Sequence, residues 1–212
     1  MICARLNPAY NPGMILFFIT LLLPVASQAK CTFTAEPKAV TVEWTAFKTT
    51  DKLPVVGTFK TIEVKGLESA KDLKKLVQSW KASIDVSSLE TQNPGRNLTL
   101  LQSFFKKLKK QEITGKVKKF KGHEQGSFDL ALTFGGVTKS IPMEFIFEIE
   151  KETRKHKMVA MGEMRISDFK AGDALNILNT ACVDLHKGSD GKSKTWDDVK
   201  LKISIPLEKD CN

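Results

Sequence analysis

Hydrophobic and polar residues alternate with a period of two along much of this chain. In residues 127–134 the apolar side chains occupy every second position, and residues 141–149 repeat the pattern with glutamates on the opposite face. Because successive strand residues point to opposite sides of a sheet, both runs predict strands that are buried on one face only. Gly135 and Gly136 lie between the runs and predict a hairpin turn.

Similar runs elsewhere bring the predicted number of strands to about eight. They are residues 42–46, 58–64, 82–86, 112–120, 158–166 and 199–205. Helical spacing of apolar residues is confined to three short segments, 67–80, 98–110 and 173–185. A succession of one-sided strands without long helices between them favours an antiparallel sandwich or barrel. We therefore predict an all-β fold with short helices.

The first 29 residues have the layout of a secretory signal peptide. Arg5 precedes an apolar run from 14 to 26, and small residues follow at Ser27 and Ala29. The run is shorter than the roughly 20 apolar residues that span a bilayer. We expect cleavage after Ala29, which leaves 183 residues, enough for one domain. A retained N-terminal anchor is the alternative.

The charge of the mature chain favours a lipid surface over nucleic acid as a partner. Without Arg5 it carries 32 basic and 24 acidic residues, a net charge of +8. Such a charge suits nucleic acid, anionic lipid or solubility alone. Since an exported protein rarely meets nucleic acid, we expect none here.

Three cysteines remain after the predicted cleavage, and an exported chain can keep a disulfide. In a closed barrel the first and last strands are neighbours, so a bridge between Cys31 and Cys211 is expected. Pairing of Cys182 with Cys211 is the competing arrangement. The spacing of the cysteines does not fit a zinc cluster.

Residue patterns typical of enzymes are missing from the sequence. There is no Gly-x-Ser-x-Gly motif and no glycine-rich phosphate loop. His123, His156 and His186 are far apart, each in a stretch rich in lysine or glycine. We therefore expect neither catalysis nor a bound metal or cofactor other than a lipid.

Five stretches between residues 42 and 207 carry a more specific pattern. They are 56–59, 84–96, 103–105, 132–139 (Leu-Thr-Phe-Gly-Gly-Val-Thr-Lys) and 166–169. In order and spacing they resemble the YceI family of exported polyisoprenoid-binding proteins. The resemblance implies that residues 30–212 form a lipocalin-like extended antiparallel β-barrel. It also implies an apolar tunnel that holds isoprenoid quinones or fatty-acid-like amphiphiles.

Three positions depart from the family pattern. Asn97 stands where the family usually has Asp, so an amide in place of a carboxylate is expected beside Arg96. Thr99 lies near the position of a family His, and Gly135 replaces the hairpin His. If these groups contact a lipid head, its selectivity differs here.

The inward faces of the strands are the main candidates for ligand contact, with Arg96 beside the head group and Phe104 and Phe105 at the tunnel mouth. The predicted ligand-binding residues are Trp44, Ile84, Val86, Arg96, Phe104, Phe105, Phe128, Leu130, Leu132, Phe134, Met143, Phe145 and Phe147. The alternative is a non-catalytic structural or interaction barrel whose core these side chains fill.

A basic run adds a second surface feature beside Phe104 and Phe105. It comprises Lys106, Lys107, Lys109, Lys110, Lys116, Lys118, Lys119 and Lys121. It could bring the barrel mouth to an anionic membrane, or it could simply be a solvated hairpin face. We predict a bacterial periplasmic carrier of a long-chain amphiphile that can contact the membrane transiently. The sequence leaves the oligomeric state open, with a dimer as one option.

Overall fold

The computed structural model describes residues 31–149 and 156–211. The predicted signal peptide lies outside the described residues, so its cleavage stays a prediction. Within the described ranges, no helix is long and apolar enough to cross a membrane.

Strands dominate the described part of the chain. The twelve strands there are β1 (Cys31–Ala35), β2 (Thr41–Lys48), β3 (Leu53–Phe59), β4 (Ile62–Lys65), β5 (Ser69–Ala70), β6 (Lys81–Ile84), β7 (Leu89–Glu90), β8 (Ile113–Gly122), β9 (Gln125–Phe134), β10 (Val137–Ile149), β11 (His156–Arg165) and β12 (Thr195–Cys211). The α-helices are α1 (Leu73–Gln78), α2 (Pro94–Ser103) and α3 (Gly172–Ala181). All three predicted helices are present, and each is shorter than the segment in which the spacing of apolar residues predicted it.

The strands form one antiparallel sheet that curls round and meets itself. From β6 the ladder runs through β8, β9, β10, β11, β12 and β2 to β3. β3 then pairs with β7, and β4 pairs with β6. Between these two pairings, Lys60 N donates to Ser88 O and Asp85 N donates to Thr61 O. β3–β4 and β6–β7 therefore act as two long interrupted strands, and the predicted barrel of about eight strands is confirmed.

The long last strand explains how the two ends of the described chain meet. The first part of β12 pairs with β2, and its last part pairs with β1. This register places Cys31 opposite Cys211, and the two form a disulfide. The predicted bridge is confirmed, and the alternative with Cys182 is wrong because that thiol is buried and free.

The predicted hairpin between β9 and β10 is also confirmed. Phe134 pairs with Val137 across a two-residue turn of Gly135 and Gly136. Both glycines have positive φ angles, 61° and 85°. Such a turn needs the left-handed conformation at both positions, which glycine adopts without a steric cost.

The register defines two ends of the barrel. Val137 and Ile113 pair with Phe134 at the end where α2 and α3 contact each other, and we call this the helical end. Ile149, which pairs with His156, lies twelve residues further along β10 at the opposite end. Strand residues rise about 3.4 Å each, so the two ends are about 40 Å apart along β10.

Local capping explains where the helices begin. The Asn93 side chain accepts a hydrogen bond from Arg96 N, and Pro94 is the first residue of α2. An Asn cap followed by Pro is a strong helix start, because the side chain satisfies a free N–H and the ring presets φ. In α1, Asp72 accepts from Lys74 N and Lys75 N in the same way.

Candidate ligand-binding cavity

A cavity of about 200 Å³ lies inside the barrel. Its wall comes mainly from β2, β6, β8, β9 and β12, with α2 and α3 at the helical end. Apart from three tryptophans, Thr195 is the one polar residue that lines it among the described residues. The cavity therefore offers an apolar ligand a dry environment with very few hydrogen-bonding groups.

The shape of the cavity is long and narrow. Four alternate residues of β9, from Phe128 to Phe134, line it. At about 3.4 Å per residue these four residues span about 20 Å. A volume of about 200 Å³ spread over that length gives a tube suited to a single extended chain, not to a bulky ring system.

One side of the barrel interior is hollow and the other is solid. On β10 and β11 the inward-facing Met143, Phe145 and Met158 are 1%, 2% and 0% exposed. On β2 and β12 the inward-facing Trp44 and Leu201 are only half-buried, because they border the void. The residues that fill the solid side confine the cavity to the part of the interior bordered by β2, β6, β8, β9 and β12.

Stacked aromatic rings fill the solid side. The rings of Phe120 and Phe145 stack at 4.6 Å between centroids, and Phe128 lies 6.2 Å from Phe120. Phe147 packs edge-on against Phe145 at 6.4 Å. Stacked and edge-to-face contacts of this kind stabilise a core beyond their area alone. Phe128 belongs to both features, since it also lines the cavity.

Eight of the thirteen predicted ligand-binding residues line the cavity. They are Trp44, Ile84, Phe104, Phe105, Phe128, Leu130, Leu132 and Phe134. The other five do not: Val86, Arg96, Met143, Phe145 and Phe147. Val86 is buried in a 3₁₀ turn after β6, while the three β10 residues belong to the solid side. Contact of the eight with a ligand stays a prediction.

Phe104 and Phe105 lie inside the helical end and not on its surface. Each is only 6% exposed, and their rings are 5.1 Å apart at 76°. Phe104 stacks on Phe134 at 6.1 Å, and Phe105 packs edge-on against Phe59 at 6.2 Å. They narrow the tunnel from within, so they cannot insert into a membrane without unpacking.

With this geometry in place, comparison with known proteins identifies the family. The sequence pattern of the YceI-like domain matches residues 32–207. This chain belongs to the YceI-like family. Among curated proteins, no sequence match was found.

Two solved structures share the fold of this YceI-like chain. BcnA from Burkholderia cenocepacia is 15% identical with a TM-score of 0.56, and the alignment covers 82% of this chain and 99% of BcnA. A polyisoprenoid-binding domain from Saccharophagus degradans, implicated in plant cell wall breakdown, is 12% identical with a TM-score of 0.56. That alignment covers 85% of this chain and 99% of the other.

Several lining residues of this YceI-like barrel escaped the sequence-based selection. Leu201 and Ile203 of β12 and Leu175 and Leu178 of α3 all line the cavity. The alternation in residues 199–205 was a usable signal for β12. No local signal could place α3 over the tunnel, because that depends on how the helix packs on the barrel.

The side chain of Asn97 in this YceI-like chain has other hydrogen-bond partners than the expected Arg96. Asn97 Oδ1 accepts from the Thr91 backbone N–H at 2.9 Å and from the Thr91 hydroxyl at 2.6 Å. Its Nδ2 donates to Glu90 Oε1 at 3.1 Å. The amide therefore joins α2 to β7 and does not pair with Arg96, which corrects the expectation. Arg96 Nε is buried with no hydrogen-bond partner among the described residues.

A small polar network backs Thr195 at the helical end. Thr195 Oγ1 donates to Asn179 Oδ1 at 2.9 Å and lies 2.7 Å from His186 Nδ1. Because the single hydroxyl proton is used on Asn179, neutral His186 carries its own proton on Nδ1. Burial, together with the nearby Lys48, lowers the pKa of His186. The network satisfies the hydroxyl of Thr195, while burial and Lys48 favour an uncharged His186 beside the tunnel.

Trp196 combines the tunnel wall with a cationic surface. Its indole Nε1 donates to Thr49 O at 2.7 Å, which holds the ring in place. Lys194 Nζ lies 3.6 Å and Lys52 Nζ 4.6 Å from the ring centroid. Lys52 also pairs with Asp198 at 2.9 Å. The helical end of the tunnel is therefore bordered by positive charge.

The described residues contain no candidate metal site. No group of three or more His, Cys, Asp or Glu side chains lies close enough to hold an ion. The expectation that the protein is not an enzyme stays a prediction.

Proposed function

We propose that this YceI-like protein binds one amphiphile with a long apolar tail in the barrel tunnel and carries it through the bacterial periplasm. The ligand would be a polyisoprenoid, an isoprenoid quinone or a fatty-acid-like lipid. The single observation that supports this most strongly is the elongated apolar cavity of about 200 Å³. The Saccharophagus degradans relative, described as a polyisoprenoid-binding domain, supports the same ligand class.

Burial of the tail can supply the affinity without polar chemistry. Each methylene removed from water contributes about 0.8 kcal/mol. Much of the gain is kept, because the tunnel is preformed and its wall is already apolar. This explains how a binding protein can lack any recognisable polar motif.

The narrowness of the tunnel points to one extended chain. Apolar side chains from separate strands, such as Leu130 of β9 and Leu201 of β12, line the tunnel and leave room for a tail and little else. The filled-core alternative describes only the β10–β11 side, where Phe145 and Met143 pack without gaps. A barrel that is solid on one side and hollow on the other can be rigid and still accept a ligand.

The head group would lie at the helical end. Arg96 is one helical turn before Leu100 on α2, so both are on the same face of the helix, and Leu100 lines the tunnel. The Arg96 side chain has no hydrogen-bond or ion-pair partner among the described residues. A head group with acceptor oxygens would satisfy its buried Nε–H. Lys194, above the tunnel-lining Trp196, adds a second cation beside the tunnel wall.

The periplasmic location is supported by the family and by the disulfide. A bridge between Cys31 and Cys211 survives best in an oxidising compartment. The signal-peptide layout of residues 1–29 agrees with export.

A tunnel-blocking variant tests the proposal. Ala46 faces the tunnel, whereas its neighbour Thr45 points to the outside of the same strand. Organic extraction and mass spectrometry of the protein purified from its own host should recover about one lipid per chain. Ala46→Phe should lose most of this lipid, and the control Thr45→Phe should retain it. Wild-type protein that carries no lipid and binds none on titration would refute the function.

A further inference from the structure

The helical end of the barrel carries exposed apolar side chains. Five of the ten exposed large apolar residues in the described chain lie there: Leu53, Leu98, Ile177, Val183 and Leu185. Leu98 is 55% exposed on α2, and Leu185, after α3, is 72% exposed. Leu185 is held at this end because Lys48 Nζ donates to its carbonyl oxygen at 3.4 Å. Single exposed leucines are common, but a group of them gathered at one end of a barrel is typical of an interaction surface.

Leu98 and Ile177 lie on the outer faces of the two helices that close the tunnel. On α2, Leu98 is two residues before Leu100, which lines the cavity, so the two point to opposite sides of the helix. On α3, the exposed Ile177 stands two residues after Leu175, which also lines the cavity. A ligand that enters or leaves between the helices would pass this surface.

Unpaired lysines flank the apolar surface. Lys106, Lys107, Lys109 and Lys110 follow α2, are all exposed, and have no ion pair among the described residues. Lys110 lies at the helical end, next to the β9–β10 turn. A Cβ placed on Gly136 of this turn would come within 3.1 Å of Lys110 Cδ. The rest of the basic run lies along β8 and leads away from this end.

We propose that the helical end docks on an anionic lipid bilayer, with Leu98 and Ile177 among the acyl chains and Lys106, Lys107, Lys109 and Lys110 on the head groups. The inference rests on the proposed function, since docking would bring the tunnel to its lipid source. Exposed apolar residues next to unpaired cations match the chemistry of such a surface. Each lysine near an anionic surface strengthens binding roughly fivefold.

Vesicle flotation of the purified protein tests this docking. Vesicles of equal parts phosphatidylglycerol and phosphatidylcholine should bind it at low salt, and high salt or pure phosphatidylcholine should abolish binding. A variant with Lys106, Lys107, Lys109 and Lys110 changed to Gln should bind at least tenfold more weakly. The matched control changes Lys116, Lys118, Lys119 and Lys121 of β8 to Gln, removes the same charge, and should bind almost as wild type.

A second pair of variants tests the apolar contribution. Leu98→Ser with Ile177→Ser should weaken vesicle binding, whereas Ile149→Ser with Met161→Ser on β10 and β11 should not. Equal losses in both lysine sets, or binding insensitive to salt, would overturn the docking surface. Self-association without vesicle binding would instead assign this face to a second copy of the chain. Lipid content measured on the same samples keeps the two ideas apart, because a docking variant should still retain its ligand.

Discussion

The indole ring of Trp44 lies against the backbone of Gly57, its cross-strand partner in the β2–β3 pair. A Cβ at Gly57 would clash with Trp44 Cζ2 and come within 2.5 Å of Cε2. The absence of a side chain at Gly57 therefore lets Trp44, one of the three lining tryptophans, lie along the tunnel wall. The Trp44 Nε1 atom is buried here with no hydrogen-bond partner among the described residues.

Replacing Gly57 should disturb both packing and the tunnel. Gly57→Ala should lower the free energy of unfolding by about 1–3 kcal/mol, because the ring must leave its position. Urea unfolding measures the loss, and lipid content should fall in parallel. Gly172→Ala is the control, since no atom lies within 4 Å of its added Cβ. Equal stability of the two variants would contradict the close packing of Trp44 on Gly57.

The two sides of the barrel should respond differently to truncation. Met143 and Leu201 both pair with Gly162, so they lie at the same level on the solid and hollow sides. Substitutions of buried Leu or Met by Ala cost about 2–5 kcal/mol. We expect Met143→Ala near the upper limit and Leu201→Ala near the lower one, because Leu201 already borders a void. Similar losses in chemical denaturation would show that the interior is uniformly packed.

Acid should destabilise the fold through Glu90. Lys60 at 2.6 Å, the Asn97 amide and the Gln92 N–H lower the pKa of Glu90 from 4.5 to about 2. A carboxylate with a depressed folded-state pKa contributes stability above its unfolded pKa, near 4.5, and this contribution disappears as pH falls towards 2. Glu90→Gln should therefore flatten the fall of melting temperature between about pH 5 and 2. An acid profile unchanged from wild type would contradict the role of Glu90.

A suitable control for Glu90→Gln is Glu112→Gln. Glu112 is exposed and has no ion pair among the described residues. Its removal changes the net charge equally but should leave the acid dependence close to that of wild type.

The cysteines should differ sharply in reactivity and in their effect on stability. Burial raises the pKa of the Cys182 thiol, so a thiol reagent should label it slowly in the native protein and quickly in urea. Replacing Cys31 and Cys211 by Ser should cost about 2–5 kcal/mol, because the bridge joins β1 to the end of β12. Fast native labelling, or unchanged stability of the double variant, would contradict this assignment.

Local patterns predict which side chains of a strand face the barrel interior, but they do not predict where the cavity lies. The alternation in β10 correctly predicts that Met143 and Phe145 face inward. Whether an inward side chain meets a void depends on the residues opposite it. Here Phe120 and Phe128 fill the space in front of Phe145. These contacts are made between residues of different strands, so the sequence of one strand cannot predict where the cavity lies.

At the helical end, likewise, the sequence predicted a helix but not which of its faces is exposed. The spacing of the Leu and Phe residues predicted a helix near 98–110, and the structure contains α2 together with a 3₁₀ turn. The aromatic pair Phe104 and Phe105 turned out to be buried, while Leu98 was left exposed. Only the packing of α2 against the barrel and α3 determines which face of the helix meets solvent.

The sequence by itself determined the one-sided strands, the glycine turn between β9 and β10, the short helices and the family, because each depends on neighbouring residues or on motifs in order. The tertiary structure alone decided between the two possible cysteine pairings, joined Asn97 to Thr91, and left the interior filled beside β10 and most of β11 but hollow beside β2, β6, β8, β9 and β12. The physical reason is barrel closure. It brings distant strands to fixed separations, and only then does the sum of facing side-chain volumes leave a tunnel or fill it.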